Sequence, residues 1–174
     1  MKILLCGVNA KYIHTNAAIR LLKAYAEREP VVTADIETAE YTINNPLREI
    51  VEGIYRSHPD VIMFSCYIWN ISVIENILSD LAVIMPGVHV WLGGPEVSFD
   101  PENILAKHEN VKGVMIGEGE ITFKDLAEYY SLYGKDTRID PDKIPGICFR
   151  KAGSFGKSEQ AFIRTSDRQL IDMD

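Results

Sequence analysis

The stretch Val61-Ile62-Met63-Phe64-Ser65-Cys66 decides the fold, because it is apolar on both of its faces. A strand with one solvated face alternates apolar and polar residues, whereas a central strand of a parallel sheet is covered by helices on both sides. Helical patterns flank this stretch, with apolar residues at Leu47, Ile50, Val51 and Ile54 before it and an amphipathic segment from Ile71 to Met85 after it. The centre of the chain therefore predicts a buried strand between two helices.

The same alternation of strand and helix extends in both directions. Further strands are predicted at Ile3–Val8, Val31–Thr38, His89–Leu92 and Gly113–Ile116. Further helices are predicted at Thr15–Glu27, Pro101–Lys107 and Ile121–Tyr133, and Asn45-Pro46 opens the helix that Pro59-Asp60 ends. Five βα units in succession predict an α/β fold with a five-stranded parallel sheet and helices on both faces.

Beyond Gly134 the pattern changes to two short β-type runs. Gly146-Ile147-Cys148-Phe149-Arg150 and Ala161-Phe162-Ile163-Arg164 flank a turn that contains Gly and Ser, which predicts a β-hairpin. The predicted division is therefore a first domain of residues 1–134 and an extension of residues 135–174 that carries the hairpin.

The composition is that of a soluble globular protein, with 47% hydrophobic and 25% charged residues. Its apolar runs fall short of the roughly 20 residues that a membrane-spanning helix needs, and the N-terminal run lacks a cleavage site for export. A net charge of −7 with scattered Lys and Arg disfavours nucleic-acid binding. Cys6, Cys66 and Cys148 lie far apart in apolar segments, which predicts buried thiols and a cytoplasmic location.

Ligands of open α/β sheets bind at the carboxyl ends of the strands, so the residues that follow each predicted strand are candidates for a binding site. Small residues occupy four of these ends: Gly7, Ser65, Gly93-Gly94 and Gly117. They leave backbone open along one edge of the sheet. A single glycine can simply turn the chain, but four such ends together indicate a ligand at this edge.

The loops at this edge do not suit a phosphate. Gly7-Val8-Asn9-Ala10-Lys11 lacks the Gly-Lys-Ser/Thr of a P-loop. Gly117-Glu118-Gly119-Glu120 follows the fifth strand rather than the first, and its carboxylates would repel a pyrophosphate, although Glu120 also suits a helix N-terminus. A large neutral or cationic ligand fits better, because Glu96 or Glu118 would accept hydrogen bonds from it.

Aromatic side chains accompany these loops. Tyr12 lies in the first loop, and Tyr67 and Trp69 follow the predicted central strand. These rings either wall an apolar macrocycle or pack into the core or an interface, and the sequence leaves both possibilities open.

Four motifs lie at the predicted edge: Asn9-Ala10-Lys11-Tyr12-Ile13-His14-Thr15-Asn16, Ser65-Cys66-Tyr67-Ile68-Trp69-Asn70, Gly93-Gly94-Pro95-Glu96 and Gly117-Glu118-Gly119-Glu120. Together they resemble the N-terminal cobalamin-binding domain of cobalamin-dependent radical S-adenosylmethionine (SAM) enzymes, in the group similar to the anaerobic magnesium-protoporphyrin monomethyl ester cyclase. The resemblance covers nearly the whole chain.

This resemblance implies a doubly wound, flavodoxin-like fold with the corrin ring of cobalamin over the strand ends and the nucleotide tail directed towards the sheet. The residues that it implies in cofactor binding are Asn9, Tyr12, His14, Thr15, Asn16, Ser65, Tyr67, Trp69, Asn70, Gly93, Gly94, Pro95, Glu96, Gly117, Glu118, Gly119 and Glu120.

His14 is the candidate cobalt ligand within this set. In the cobalamin domains of methionine synthase and the mutases, the His of an Asp-x-His-x-x-Gly motif ligates cobalt from below. Here Tyr12-Ile13-His14-Thr15-Asn16-Ala17 keeps the His but lacks both the Asp that would orient it and the Gly. His14 therefore either binds cobalt or lines the loop, since radical enzymes of this group generally do without such a ligand.

The resemblance also implies a second domain as the partner of this one. The Cys-x3-Cys-x2-Cys motif that would bind a [4Fe–4S] cluster and SAM is absent from this sequence, and Leu170-Ile171-Asp172-Met173-Asp174 resembles the start of a linker to a radical SAM domain. The chain is thus expected to be the front of a longer enzyme, a methyltransferase or a related radical enzyme, and to contain no catalytic residue itself.

Three alternatives stand beside cobalamin binding. A phosphoacceptor receiver would need an Asp where Ser65 and Cys66 end the third strand, and flavin binding would need a Ser/Thr-rich loop after the first strand. A domain of the same fold with a degenerate cofactor site would act only as a docking surface. The sequence argues against the first two and leaves the third open.

Overall fold

The computed structural model describes residues 1–13, 15–135, 141–151 and 161–168, and within them seven strands form one sheet. The strands are β1 (Lys2–Asn9), β2 (Asp35–Thr42), β3 (Val61–Ser65), β4 (His89–Gly93), β5 (Val111–Met115), β6 (Ile147–Arg150) and β7 (Phe162–Arg164). Their order is β2-β1-β3-β4-β5-β6-β7, and β1 to β5 are parallel. The predicted α/β fold with a flavodoxin-like parallel sheet is confirmed.

Helices cover both faces of this sheet. They are α1 (Ala17–Ala26), α2 (Leu47–Ser57), α3 (Ile71–Ile84), α4 (Pro95–Ser98), α5 (Pro101–Lys107) and α6 (Gly119–Tyr133). One core packs α2, α3 and α5 against Phe64 and Leu92, and the other packs α1 and α6 against Met63 and Trp91. Neighbouring residues of the central strands thus enter opposite cores, which explains why these strands are apolar on both faces.

β2 begins later than the sequence predicts. The predicted bounds Val31–Thr38 are wrong, because two β-branched valines favoured too early a start. Val31 is exposed before the strand, whereas the largely polar segment Asp35–Thr42 pairs with β1 from Lys2 to Asn9. Pairing along the whole of β1 overrides the intrinsic preference of the valines.

Two other boundaries differ for local reasons. β5 begins at Val111 and not at Gly113, because Val111 pairs with Val90 of β4. Gly113 lies inside the strand, where a Cβ would lie 2.4 Å from the Trp91 indole ring. The segment Pro95–Ser98, predicted as a loop, forms the short helix α4 with Gly94 at its N-cap.

The predicted hairpin forms one edge of the same sheet. β6 runs antiparallel to β5, and β7 runs antiparallel to β6, so β7 returns the chain to the carboxyl edge of the parallel strands. There the Arg168 guanidinium donates hydrogen bonds to Thr122 Oγ1 at 2.9 Å, to the Pro145 carbonyl at 3.2 Å and to the Asp125 carboxylate. These bonds hold residues 165–168 against the first turns of α6.

The division between residues 134 and 135 stays a prediction, and the linker predicted at Leu170–Asp174 lies outside the described residues. Among the helices that the structure describes, none combines the length and the hydropathy needed to cross a membrane.

A polar cluster of His89, Trp91 and Tyr130 lies at the opposite, amino edge of the sheet. Trp91 Nε1 donates to the Tyr130 hydroxyl at 2.7 Å, and that hydroxyl lies 3.0 Å from His89 Nδ1. An indole N–H can only donate, so the Tyr130 oxygen accepts from Trp91. The Tyr130 hydroxyl proton is then free to be donated to His89 Nδ1, which accepts it when the imidazole is neutral. Burial, together with Lys112 and Lys135, lowers the pKa of His89 to about 4.

We expect this cluster to make the chain sensitive to acid. An unfolded histidine takes up a proton below about pH 6.5, whereas folded His89 does so only near its pKa of about 4, so falling pH across this range favours the unfolded state. After allowance for the partial exposure of the ring, the loss is about 1–2 kcal/mol.

Urea unfolding at several pH values across this range measures the loss. His89→Gln should remove it, while the acid sensitivity from Glu40 and Asp60, whose pKa values are lowered, persists in both proteins. Parallel stability profiles for the two proteins would contradict the assignment.

Candidate functional site

The strand order reverses at β1, because β2 lies on one side of β1 and β3 lies on the other. In an open α/β sheet a crevice opens at such a point, outside the carboxyl ends of the strands. Two neighbouring cavities lie at this edge, and Tyr67 lines both of them.

The first cavity, here named the inner cavity, has a volume of about 250 Å³ and is bounded by the sheet, α1 and α6. Its lining includes nine of the predicted site residues: Ser65, Tyr67, Gly93, Gly94, Pro95, Gly117, Glu118, Gly119 and Glu120. The ends of β3, β4 and β5 therefore meet around one space. Glu118 forms the N-cap of α6, and Gly119 and Glu120 form its first turn.

The deep wall of the inner cavity is apolar. It is formed by Leu5, Ile19, Met63 and Met115, all of them buried. Sequence reasoning that considers only the positions after the strands misses these residues, because three of them lie within strands and their face depends on the topology. Gly93 keeps the cavity open, since a Cβ there would lie 2.9 Å from Met115 Cε.

The second cavity, here named the outer cavity, has a volume of about 260 Å³ and lies beside the first loop. It is lined by Asn9, Ala10, Thr15, Asn16, Ala17, Ala18, Tyr67 and Trp69. The rings of Tyr67 and Trp69 stack with their centroids 4.5 Å apart and an interplanar angle of 5°, and Trp69 is 48% exposed. Trp69 is therefore not a core residue, and the stacked pair offers a flat apolar surface to a ligand.

Glu40 holds the first loop in place although no sequence motif includes it. Its carboxylate accepts hydrogen bonds from Asn9 Nδ2 at 3.0 Å, the Asn16 amide at 2.8 Å and Arg20 Nε at 2.9 Å. Burial tends to raise the pKa of Glu40, but the bonds from Asn16, Arg20 and Asn9 lower it overall. Glu40 was missed because the predicted β2 ends at Thr38.

Asn70 is fully buried and lines neither cavity. Its side-chain amide donates to the carbonyls of Val8 at 3.0 Å and Ser65 at 2.9 Å, and its Oδ1 accepts from the Tyr67 amide at 2.8 Å. Asn70 thus joins the ends of β1 and β3 to the loop that carries the aromatic pair, and it positions that loop instead of facing a ligand.

Three more predicted site residues lie away from the cavities or cannot be placed. Tyr12 is 92% exposed, and Glu96 is exposed on α4. His14 lies outside the described residues, so its assignment as a cobalt ligand stays a prediction.

Cys66 directly follows β3, but it does not offer a reactive thiol. All three cysteines are free and buried, as the sequence predicts. Burial raises the pKa of Cys66 to about 12, so the thiol stays protonated at neutral pH. A protonated, buried thiol is neither a nucleophile nor a metal ligand.

A hollow larger than either cavity, of about 790 Å³, lies elsewhere, between α2 and α3. Its lining residues are Leu47, Arg48, Val51, Glu52, Tyr55, Asp80 and Ile84. Its lining contains no strand end and none of the predicted site residues that the structure describes. Since open α/β sheets bind ligands at the carboxyl edge, the inner and outer cavities form the better candidate site.

The chemistry of the two cavities favours an apolar ligand with hydrogen-bond donors at its margin. Among the described residues that line them, none is Lys or Arg, whereas Glu118 and Glu120 stand at the mouth of the inner cavity. These features suit a large macrocycle better than a phosphate ester, because the deep wall is apolar, the aromatic stack is exposed and the carboxylates stand at the mouth of the cavity.

Comparisons with known proteins agree with this chemistry. The family model described as B12 binding domain matches residues 3–127. The cobalamin-dependent radical SAM methyltransferase TokK of Streptomyces tokunonensis is 31% identical over 155 residues, which cover 86% of this chain and 21% of that protein. A 2-(S-pantetheinyl)-carbapenam-3-carboxylate methyltransferase of Streptantibioticus cattleyicolor is 31% identical over 136 residues, or 72% of this chain and 20% of that protein.

The chain thus spans about a fifth of the length of these relatives. Among solved structures, the radical SAM methyltransferase TsrM of Kitasatospora setae superposes with a TM-score of 0.70 and 17% identity, over 95% of this chain and 30% of that one. At this identity the likeness shows the fold alone. The family match extends over more than half of the chain, so the predicted resemblance is confirmed: this chain belongs to the B12 binding domain family, and its relatives include cobalamin-dependent radical SAM methyltransferases.

Proposed function

We propose that this chain binds cobalamin at the carboxyl edge of its sheet and presents it to a radical SAM domain. The nucleotide tail of the cofactor enters the inner cavity, and the corrin ring lies over the strand ends beside Tyr67 and Trp69. The observation that carries the proposal is the pair of adjoining cavities, one deep and apolar and the other walled by a stacked aromatic pair.

The sizes of the cavities support this division of the ligand. Sites that enclose a whole drug-sized ligand have volumes of about 300–1,000 Å³, and the inner cavity, at about 250 Å³, is smaller. It suits one arm of a large cofactor, while the ring remains at the surface. A ring that remains at the surface is accessible to a second domain.

The partner would supply the catalytic centre. Cobalamin contributes a cobalt centre that carries methyl groups or assists radical chemistry, and the protein orients it. SAM and the [4Fe–4S] cluster would belong to the partner domain, in a methyltransferase of the kind that the relatives' names describe. The path of β7 and the Arg168 contacts support this arrangement, because they hold residues 165–168 at the edge where the cavities open.

Retention of hydroxocobalamin tests the proposal. We expect the 174-residue chain, incubated with the cofactor and passed through gel filtration, to keep a corrin absorption spectrum at near one equivalent. Trp69→Ala should weaken binding by about tenfold, since stacking on one exposed aromatic ring contributes about 1 kcal/mol or more.

The matched control is Phe99→Ala, which removes a 95% exposed ring that lines neither cavity and should leave binding unchanged. The spectrum of a His14→Ala variant decides separately whether that imidazole touches cobalt. If neither this chain nor the full-length protein retains cobalamin, the cofactor site is degenerate and the domain acts as a docking surface.

A further inference from the structure

We propose that the inner cavity selects among corrinoids by the polarity of the base that ends the nucleotide tail, taking benzimidazole-type bases and rejecting purines. This inference rests on the proposed cobalamin site and names the ligand class that the site accepts. The selecting residues are Leu5, Met63 and Met115, which form the deep wall of the cavity together with Ile19.

The deep wall offers almost nothing to a polar group. Leu5 and Met63 are at most 1% exposed and Met115 is 5% exposed, and each contributes only apolar side-chain atoms or a thioether. Among the buried lining residues that the structure describes, only Ser65 has a polar side chain. The carboxylates of Glu118 and Glu120 belong to the more exposed mouth, formed by the start of α6.

The bases of natural corrinoids differ at the edge that would meet this wall. In cobalamin, the edge of the base remote from the ribose carries two methyl groups. In an adeninyl cobamide, the six-membered ring of the base carries ring nitrogens and an exocyclic amine instead of these methyl groups. A buried donor or acceptor without a partner loses its hydrogen bonds to water, whereas methyl groups gain by leaving water.

Affinity measurements with a series of corrinoids test the selection without reference to activity. Titration of the chain, followed by quenching of tryptophan fluorescence, should give a dissociation constant about 10- to 100-fold weaker for the adeninyl cobamide than for cobalamin. Cobinamide, which lacks the nucleotide tail, should also bind weakly. An unsubstituted benzimidazolyl cobamide, with no methyl groups and no polar remote edge, should fall between cobalamin and the adeninyl form.

Met115→Gln should shift this preference, because it places an amide of similar length in the deep wall. We expect it to weaken cobalamin binding and to reduce the ratio of the two dissociation constants, adeninyl cobamide over cobalamin, by about tenfold. Met85→Gln makes the same change on a half-buried methionine packed against the other core, and it should alter neither value.

The outcomes separate this inference from the proposed function. If no corrinoid binds, cobalamin included, the proposed function fails. If cobalamin binds but cobinamide or the adeninyl cobamide binds equally well, the site exists and the selection is overturned. If the benzimidazolyl form binds as weakly as the adeninyl form, the methyl groups explain the difference and the role assigned to polarity is overturned. The corrinoid series uses the native chain, so it decides the matter even if Met115→Gln does not fold.

Discussion

Replacement of Asn70 by leucine should lower the free energy of unfolding by about 3–5 kcal/mol. The Asn70 side chain, fully buried, is hydrogen-bonded to the carbonyls of Val8 and Ser65 and to the amide of Tyr67. Leucine has a similar size but would remove all three of these hydrogen bonds, and each buried backbone group that is left unsatisfied costs about 1–3 kcal/mol. Urea unfolding of the variant and the native chain measures the loss.

The matched control is Asn103→Leu, the same chemical change at an exposed position of α5, which should alter stability by about 0.5 kcal/mol or less. Asn70→Leu should also retain less cobalamin, because the loop that carries Tyr67 and Trp69 loses its anchor. Unchanged stability in the Asn70 variant would show that the three bonds do not hold the loop.

Alanine at Gly94 should be comparably damaging, with a loss of about 3 kcal/mol or more. Gly94 has φ 107° and ψ 170°, a region that is essentially confined to glycine. A Cβ there would lie 2.4 Å from the Cys66 carbonyl oxygen and 3.1 Å from the Cys66 nitrogen. These are backbone atoms of the neighbouring strand end, and the Cys66 amide is held by a 2.7 Å hydrogen bond to the Gly93 carbonyl, so they have little room to retreat.

Gly87→Ala provides the comparison for Gly94→Ala, because nothing lies within 4 Å of a Cβ at Gly87. This substitution should be close to neutral in thermal and urea unfolding. If the two alanine variants were equally stable, the close approach of β4 to the end of β3 would not constrain the edge of the sheet.

The repeated strand and helix pattern was readable in the sequence because burial imposes it on every element. The run from Val61 to Ser65 is apolar because both of its faces enter cores, and α5 spans Pro101–Lys107 as predicted because Asp100 and Pro101 mark its start. The carboxyl edge followed from the topology rule, which brings Ser65, Gly93 and Gly117 together without any knowledge of contacts.

What escaped prediction depends on pairing across the sheet. Glu40 reaches the first loop only because β2 is in register with β1, placing Glu40 beside Gly7. Leu5 and Met63 look like ordinary core residues in the sequence, and only the position of the inner cavity distinguishes them. Asn70 looks like a ligand contact beside the aromatic pair, although its hydrogen bonds are satisfied within the protein.

The wall that Tyr67 shares between the inner and outer cavities has a consequence for how long a ligand stays. A molecule with one arm in each cavity is bivalent, so attachment of one arm holds the other at an effective concentration on the order of millimolar beside its own cavity. The whole molecule then binds about 10²–10⁴ times more tightly than either arm alone, without any additional contact. Departure requires both arms to leave together, and a domain built in this way keeps its ligand through slow dissociation.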